Sequence, residues 1–278
     1  MEKIGMDKVA VVILNYMNYR ETFCCADSVL LQKNIDFKII IVDNGSTNDS
    51  YTQLKRRYYR NPSVYILKTG KNYGFAKGNN IGIKYGKTKL FADFILLLNS
   101  DTKMIQKDFI SKLLLGYKKN MGAMGGKIIQ QNGMIQERYF DYVTFPGTLF
   151  LYLKLICDRY SIPILPEKLS VFLEKANKTE ILHGSCLMLT PAFFEKYDLL
   201  YDKTFLYGEE ILLYIFCKRA GLIQKKIQDA VILHKGKQSS SYLYGNRNSL
   251  RDKYVLSSFK YVVWESLKTR LQYGVGRI

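Results

Sequence analysis

In Phe94-Ile95-Leu96-Leu97-Leu98-Asn99-Ser100-Asp101, five large apolar residues run straight into three polar ones. An unbroken apolar run of that length, stopped by turn formers, describes a strand buried on both faces, which is the habit of parallel sheets covered by helices. The pattern recurs upstream at Val9–Asn15, Phe37–Asp43 and Val64–Lys68, with helix-like stretches between the runs at Tyr19–Lys33, Ser50–Tyr59 and Phe75–Lys84. Strand and helix in alternation predict an α/β fold with a mostly parallel central sheet and helices on both faces. Ligands of such sheets bind beyond the carboxyl ends of the strands. Three of those ends carry polar groups here: Asn15-Tyr16, Asp43-Asn44-Gly45-Ser46 and Asn99-Ser100-Asp101.

Downstream the pattern loosens. A strand is expected at Met121–Gln130, then an aromatic-rich stretch to about Tyr160, and a further strand near Glu180–Leu189. No Ser/Gly/Pro-rich linker intervenes, so a single domain is expected, with residues 1–125 and 126–238 as its halves. From Ser239 the chain turns basic and aromatic (Tyr242, Tyr244, Arg247, Arg251, Lys253, Tyr254, Lys260, Tyr261, Trp264, Lys268, Arg270), and its periodicity predicts an amphipathic helical tail within 239–278. The longest apolar stretch, Tyr142–Cys157, is interrupted by Pro146, Gly147 and Lys154 and falls short of the roughly 20 residues that a membrane-spanning helix needs. It reads as helix or loop packed on the core, the alternative being a surface that dips into a membrane interface.

The 278 residues include 42 Lys and Arg against 24 Asp and Glu, a formal net charge of +18, so the surface field attracts anions: nucleic acid, anionic membrane or phosphorylated substrates. Five cysteines (Cys24, Cys25, Cys157, Cys186, Cys217) form no CxxC pair, and only two histidines accompany them, which argues against a zinc finger or a four-ligand Cys/His site. An odd, scattered set fits reduced thiols in the cytosol. Met1–Lys8 is short and mixed in charge and Val9–Leu14 is strand-sized, so no signal peptide is expected.

Two phosphate-binding motifs fall away. Ile81-Gly82-Ile83-Lys84-Tyr85-Gly86-Lys87-Thr88 ends like a Walker A loop but has Ile81 where glycine is required, and Asn15-Tyr16-Met17-Asn18 stands where a GxGxxG would follow the first strand. A carboxylate just past a buried strand, Asp101, suits a hard divalent cation shared with phosphate oxygens, because Mg2+ or Mn2+ takes one or two protein carboxylates and fills its shell from the ligand. Asn, Ser and Asp are also ordinary turn residues, so Asp101 alone decides nothing. Asp43-Asn44-Gly45-Ser46 reads equally as an Asx turn or as a nucleotide contact. Lys71-Asn72-Tyr73-Gly74-Phe75-Ala76-Lys77-Gly78-Asn79-Asn80 crowds two glycines and three asparagines at a helix start, where backbone amides are expected to face an anion.

In order and spacing, Val12-Ile13-Leu14-Asn15-Tyr16, Ile41-Val42-Asp43-Asn44-Gly45-Ser46, Asn72 to Asn80 and Leu97-Leu98-Asn99-Ser100-Asp101 resemble family 2 inverting glycosyltransferases, most nearly the bacterial rhamnosyltransferase branch. The resemblance runs from about Val9 to His234. It implies a GT-A type fold, one α/β domain of nucleotide-binding and acceptor halves. It implies nucleotide-sugar contacts from Asn15, Tyr16, Asp43, Asn44, Asn72, Gly74, Phe75, Asn79 and Ser100, with Asp101 as the last acid of the DxD motif and Mn2+ or Mg2+ as cofactor. Asn99 stands where the first acid is often found, so one carboxylate must do more of the metal binding.

Phe205-Leu206-Tyr207-Gly208-Glu209-Glu210-Ile211 resembles the family's Glu-Asp motif, with Glu210 in the place usually filled by aspartate and Leu212 where another acid often follows. The implied catalytic base is Glu210, with Glu209 as the alternative. Both fall in the first turn of an expected helix, Gly208–Ala220, whose N-terminus favours ionised carboxylates, although acids are ordinary composition there too. His234 ends the run Ala230-Val231-Ile232-Leu233 and precedes Lys235-Gly236-Lys237-Gln238-Ser239, which is similar to the family's His-x-Gly-x-x-Ser segment; the resemblance places it near the metal and diphosphate. His183 has a weaker case, and the Gly184-Ser185 pair after it resembles a turn lining the acceptor pocket.

The implied reaction is inverting transfer of a sugar from dTDP-rhamnose or a UDP-hexose to a glycan or polyprenyl-diphosphate-linked acceptor in bacterial surface polysaccharide synthesis. The implied location is cytoplasmic, with the basic tail on the anionic inner face of the membrane. Two other classes stay open. The charge and 22 tyrosines suggest a nucleic-acid-binding protein, and Asn99 with Leu212 suggests an inactive scaffold of the same fold. No nucleic-acid partner is expected on the first reading, because Lys and Arg are scattered while acids concentrate at strand ends.

Overall fold

The computed structural model describes residues 7–137, 139–140, 143–162, 179–236 and 248–273. In chain order the elements are β1 (Lys8–Asn15), α1 (Tyr19–Leu30), β2 (Asp36–Asp43), α2 (Ser50–Tyr58), β3 (Val64–Lys68), α3 (Phe75–Lys89), β4 (Phe94–Asn99), β5 (Thr102–Met104), α4 (Phe109–Leu115) and β6 (Met121–Ile129). They continue with β7 (Tyr139–Phe140), α5 (Phe145–Tyr160), β8 (Thr179–Glu180), β9 (Cys186–Leu189), α6 (Pro191–Phe194), α7 (Glu209–Arg219), β10 (Ile223–His234) and α8 (Asn248–Tyr273).

One sheet of eight strands, in the order β3-β2-β1-β4-β9-β6-β10-β5, organises the molecule, and β7 and β8 form a separate small pair. β1 to β4 are mutually parallel, β9 runs antiparallel between β4 and β6, β10 is parallel to β6, and β5 closes the edge antiparallel to β10. Successive side chains of a strand face opposite ways, and β1 shows the consequence. Val9, Val11 and Ile13 join a core with Cys25, Leu54 and Phe109 of α1, α2 and α4, whereas Ala10 and Val12 join another with Ile83, Phe193 and Leu213 of α3, α6 and α7. Both faces are therefore covered, which is why the strands read as continuous apolar runs.

The longer extent of α3, to Lys89 rather than Lys84, has a packing cause. Gly78, Gly82 and Gly86 fall four residues apart on one face. A Cβ at Gly82 would meet Val12 Cγ1 at 2.4 Å, and one at Gly86 would meet Ile95 Cδ1 at 2.8 Å, so these glycines let α3 lie directly on the sheet. The segment that ends like a Walker loop is thus the middle of a buried helix. The strand expected across Glu180–Leu189 is instead two, β8 and β9, parted by the turn at His183-Gly184-Ser185. The short strand β5 was not anticipated; three residues after Asp101 pair with Ile232, Leu233 and His234.

The expected basic helix begins at Asn248 and packs as an integral part of the fold. Phe259 and Val262 of α8 are buried in a third core with Ile211, Leu212 and Ile215 of α7 and, less deeply, Leu151 and Leu155 of α5. Ser258 Oγ donates to the Leu206 carbonyl at 2.7 Å. Residues 237–247, including Lys237, Ser239, Tyr242, Tyr244 and Arg247, lie outside the described residues. Among the described residues no helix is long and apolar enough to cross a membrane.

Candidate active site

The carboxyl ends of β1 and β2 lie side by side because Asn15 pairs in register with Asp43. Both are buried, and Asn15 Nδ2 donates to Asp43 Oδ1 at 2.6 Å. Ser46 Oγ donates to the same oxygen at 2.6 Å, and Thr22 of α1 donates to Asn15 Oδ1 at 2.7 Å. Asp43 Oδ2 is buried and finds no hydrogen-bond partner among the described residues, although a buried carboxylate oxygen ordinarily has one. It is a fixed acceptor waiting for a donor. Tyr16, half-buried, follows Asn15 on this rim.

Asn44 does different work. Its Nδ2 donates to Asn72 Oδ1 and to the Gly74 carbonyl, both at 3.0 Å, and its Oδ1 accepts from the Tyr73 amide at 3.1 Å. It pins the 72–74 loop to the end of β2. The amides expected to face an anion at the start of α3 are partly engaged already: Gly74 N donates to Asn72 Oδ1 at 2.8 Å and Phe75 N to the Phe205 carbonyl at 2.8 Å. Gly74, at φ +82°, must be glycine, since a Cβ there would sit 2.1 Å from Phe205 O. Asn80 exchanges two hydrogen bonds with the Leu200 backbone, so it too ties loops together. Asn79 is buried, donates to the Phe75 carbonyl at 3.0 Å and leaves Oδ1 without a partner among the described residues.

The second cluster forms where β4, β5 and β10 meet. The turn Asn99-Ser100-Asp101 is closed by Thr102 Oγ1 on the Asn99 carbonyl at 2.8 Å, with Ser100 buried in it. Pairing of His234 with Thr102 brings the histidine alongside Asp101. His234 Nε2 stands 3.4 Å from Asp101 Oδ1, an oxygen that is buried and accepts no hydrogen bond among the described residues. Gln136 Oε1 lies 2.8 Å from His234 Nδ1, and the His183 ring meets the His234 ring edge-on at 5.3 Å. Lys235 donates its amide to the Asp101 carbonyl at 2.9 Å, and its ammonium pairs with Glu21 of α1 at 2.6 Å, which holds it above the usual lysine range. Beneath the turn, Cys25 packs against Asn99 O and Thr102 Oγ1, and burial pushes its thiol up to about 12.

One carboxylate oxygen lacking a hydrogen bond and one imidazole nitrogen 3.4 Å away suit a divalent cation as two protein ligands. Among the described residues no group of three or more His, Cys, Asp or Glu surrounds one point, so diphosphate oxygens would complete the shell.

The two glutamates at the start of α7 part company. Glu210, 9% exposed, sends Oε1 to the Gly184 amide at 3.2 Å, and a Cβ at Gly184 would lie 2.7 Å from that oxygen. Glycine there admits the carboxylate. The same turn accepts the Asn99 amide on the Ser185 carbonyl at 3.0 Å and carries His183 against His234. Glu210 is thus linked through one turn to the Asp101 cluster. Glu209 instead accepts from Thr204 Oγ1 at 3.1 Å and lines a small apolar cavity with Phe75, Tyr201 and Phe216.

Sequence reasoning missed Gln136, Thr22 and Glu21, and left His183 aside. Only Gln136 had a local signal, the Asn132-Gly133 pair, a strong hairpin marker after β6.

A parallel sheet that switches direction at β9, with acids at its carboxyl rim beside the switch, is the architecture of the GT-A class. Residues 10–181 match the model of glycosyl transferase family 2, more than half of the chain, and the chain belongs to that family. It is 26% identical over 226 residues to the low-salt glycan biosynthesis hexosyltransferase Agl10 of Haloferax volcanii, covering 79% of this chain and 64% of that one, just under two thirds of its length. By fold it is similar to S. aureus TarS, residues 1–349 (TM-score 0.56, 14% identity, 96% of this chain and 72% of that one). It is similar also to the mannosyltransferase PcManGT from Pyrobaculum calidifontis in complex with GDP-Man and Mn2+ (0.57, 11%, 96% and 76%). A further likeness is to GalNAc-T7 with UDP, GalNAc and Mn2+ (0.60, 13%, 85% and 45%).

Proposed function

We propose that the chain is an inverting glycosyltransferase that moves a sugar from a nucleoside-diphosphate donor to a hydroxyl of a glycan or lipid-linked acceptor. The observation that carries this reading is the cluster in which Asp101 Oδ1, without a hydrogen bond, faces His234 while Glu210 reaches the adjoining turn. Asp43 Oδ2 and Asn79 Oδ1, buried acceptors on the same rim, suit the imide or hydroxyl protons of a nucleoside.

Asp101 and His234 would hold Mn2+ or Mg2+, which when bound supplies positive charge at the departing diphosphate. Two similar structures contain Mn2+ beside a nucleotide, which supports the choice. Glu210 accepts the proton of the acceptor hydroxyl as that oxygen bonds to the anomeric carbon. The bond from that carbon to the donor diphosphate breaks on the opposite side, so the nucleoside diphosphate leaves and the centre inverts. Lys235 adds positive charge beside the leaving group while Glu21 holds its ammonium in place. Cys25, neutral beneath the turn, takes no part as a nucleophile.

The donor half is residues 1–125 and the acceptor half 126–238, and dTDP-rhamnose and UDP-hexoses are the donors proposed. The hexosyltransferase likeness supports a hexose, and the motif resemblance a rhamnose. The α8 face, rich in lysine, is proposed to rest on anionic lipid. Thermal stabilisation by UDP and by dTDP, each with and without Mn2+, tests the reading. A metal-dependent shift with one nucleotide, lost in Asp101→Ala, is expected; no shift with either would refute it.

A further inference from the structure

We infer that Gln136 is a positioning residue that fixes the tautomer of His234 and so keeps Asp101 and His234 from pairing with each other. The inference rests on the metal role proposed above for that pair. The chain after β6 folds back at Asn132-Gly133, with Gly133 at φ +80° and Gln130 N donating to the Met134 carbonyl at 2.8 Å. Gln136 N then donates to the Ile128 carbonyl at 2.8 Å, which fixes Gln136 beside the end of β6. β6 and β10 are neighbours there, Ile129 opposite Leu233, so the carboxamide meets the ring of His234.

Gln136 Oε1 lies 2.8 Å from His234 Nδ1. An amide oxygen has no proton, so this contact is a hydrogen bond only when Nδ1 donates. A neutral imidazole protonated at Nδ1 carries its lone pair on Nε2, the atom 3.4 Å from Asp101 Oδ1. Two buried acceptors then face each other with no proton between them, an arrangement that is unfavourable alone and favourable around a cation. Without the Gln136 oxygen, the imidazole would take the other tautomer and donate Nε2–H to Asp101. That would satisfy the carboxylate and close the metal position.

His183 provides the contrast. Its Nδ1 accepts the Ser185 amide at 3.1 Å, so its proton sits on Nε2. The chain has only two histidines, and the structure assigns them opposite tautomers.

Nitrogen-15 NMR of histidine-labelled, metal-free protein, at a pH well above the range in which imidazoles ordinarily titrate, reads both tautomers directly. The expectation is Nδ1–H for His234 and Nε2–H for His183. Gln136→Leu should switch His234 to Nε2–H, leave His183 unchanged as the folding control, and weaken binding of Mn2+ alone, read by water-proton relaxation, by about 10–100-fold. Gln136→Glu keeps an acceptor oxygen and should retain the wild-type tautomer and affinity. An Nε2–H tautomer at His234 in the wild type, or a Gln136→Leu protein unchanged in tautomer or in Mn2+ affinity, would overturn the role of Gln136 while leaving the metal site intact. A wild type that binds no Mn2+ would instead overturn the metal role of Asp101 and His234, and this inference with it.

Discussion

Glu209 and Glu210 share a helical turn and a chemistry, yet the fold gives them different surroundings. Glu210 points to the Gly184 turn and through it to Asp101 and His234; Glu209 accepts the Thr204 hydroxyl on the other side. Glu210→Gln should therefore lower kcat by about 10²–10⁴-fold with donor binding unchanged, the range for removing a general base. Glu209→Gln keeps an acceptor for Thr204 and should act mainly through stability. Steady-state transfer kinetics decide, and a deeper kcat loss in Glu209→Gln would reverse the two roles. The thiols make a second residue-scale case. Burial holds Cys25, Cys186 and Cys217 each up to about 12, whereas Cys24 is exposed. A thiol reagent should modify Cys24 in the native protein and reach the other three only on unfolding. The sign of the linkage follows: the unfolded chain ionises these thiols near 9.0 and the native one near 12, so stability falls as pH rises through that window.

At the scale of elements, α7 is held at both ends, by its glutamates at the start and by a buried ion pair at the finish. Arg219 Nη2 meets Glu265 Oε2 of α8 at 2.9 Å, with the side chains 15% and 4% exposed, and Thr269 adds its hydroxyl to the guanidinium. Removing one partner of such a pair strands the other, so Glu265→Ala should destabilise the fold by about 3 kcal/mol in thermal or urea melts. Arg219→Met with Glu265→Leu should recover most of that loss, because the site would then pack as an apolar one. The elements legible in the sequence are those whose pattern is local. β1 to β4 announce themselves as unbroken apolar runs stopped by turn formers, and Asp43 and Asp101 follow as the residues at their ends. What stayed hidden depends on distant partners. β5 exists because β10 offers it an edge, β8 and β9 part because Glu210 needs Gly184, and α3 runs on to Lys89 because its glycines meet β1 and β4. Gln136 is a site residue only because the hairpin returns it to His234, a contact 98 residues apart that no local spacing encodes.

For the whole molecule, the net charge of +18 raises the question of which anionic surface it meets. A sheet that stacks nucleobases must leave one face bare, and here both faces are buried beneath helices, so the aromatic residues available for stacking are not on the sheet. The outward face of α8 is a better candidate. Lys253, Ser257, Lys260, Trp264, Lys268 and Leu271 recur at three- and four-residue spacing; Trp264 is 53% exposed and Leu271 76%, and Lys268 lies over the Trp264 ring. An exposed tryptophan flanked by lysines is the composition of a helix lying in a membrane interface, where each cation near anionic lipid is worth about 1 kcal/mol. Deleting the segment would not test this cleanly, because Phe259 and Val262 on the opposite face belong to the core with α7. The informative variant keeps the buried face and changes only the outer one: Lys260→Glu, Trp264→Ser and Lys268→Glu together. It should melt close to the wild type and lose flotation with anionic liposomes, while the wild type floats with anionic but not with neutral vesicles and is released by salt. If the triple variant floats as well as the wild type, the charge of α8 serves solubility, and the acceptor reaches Glu210 without help from a membrane held by this helix.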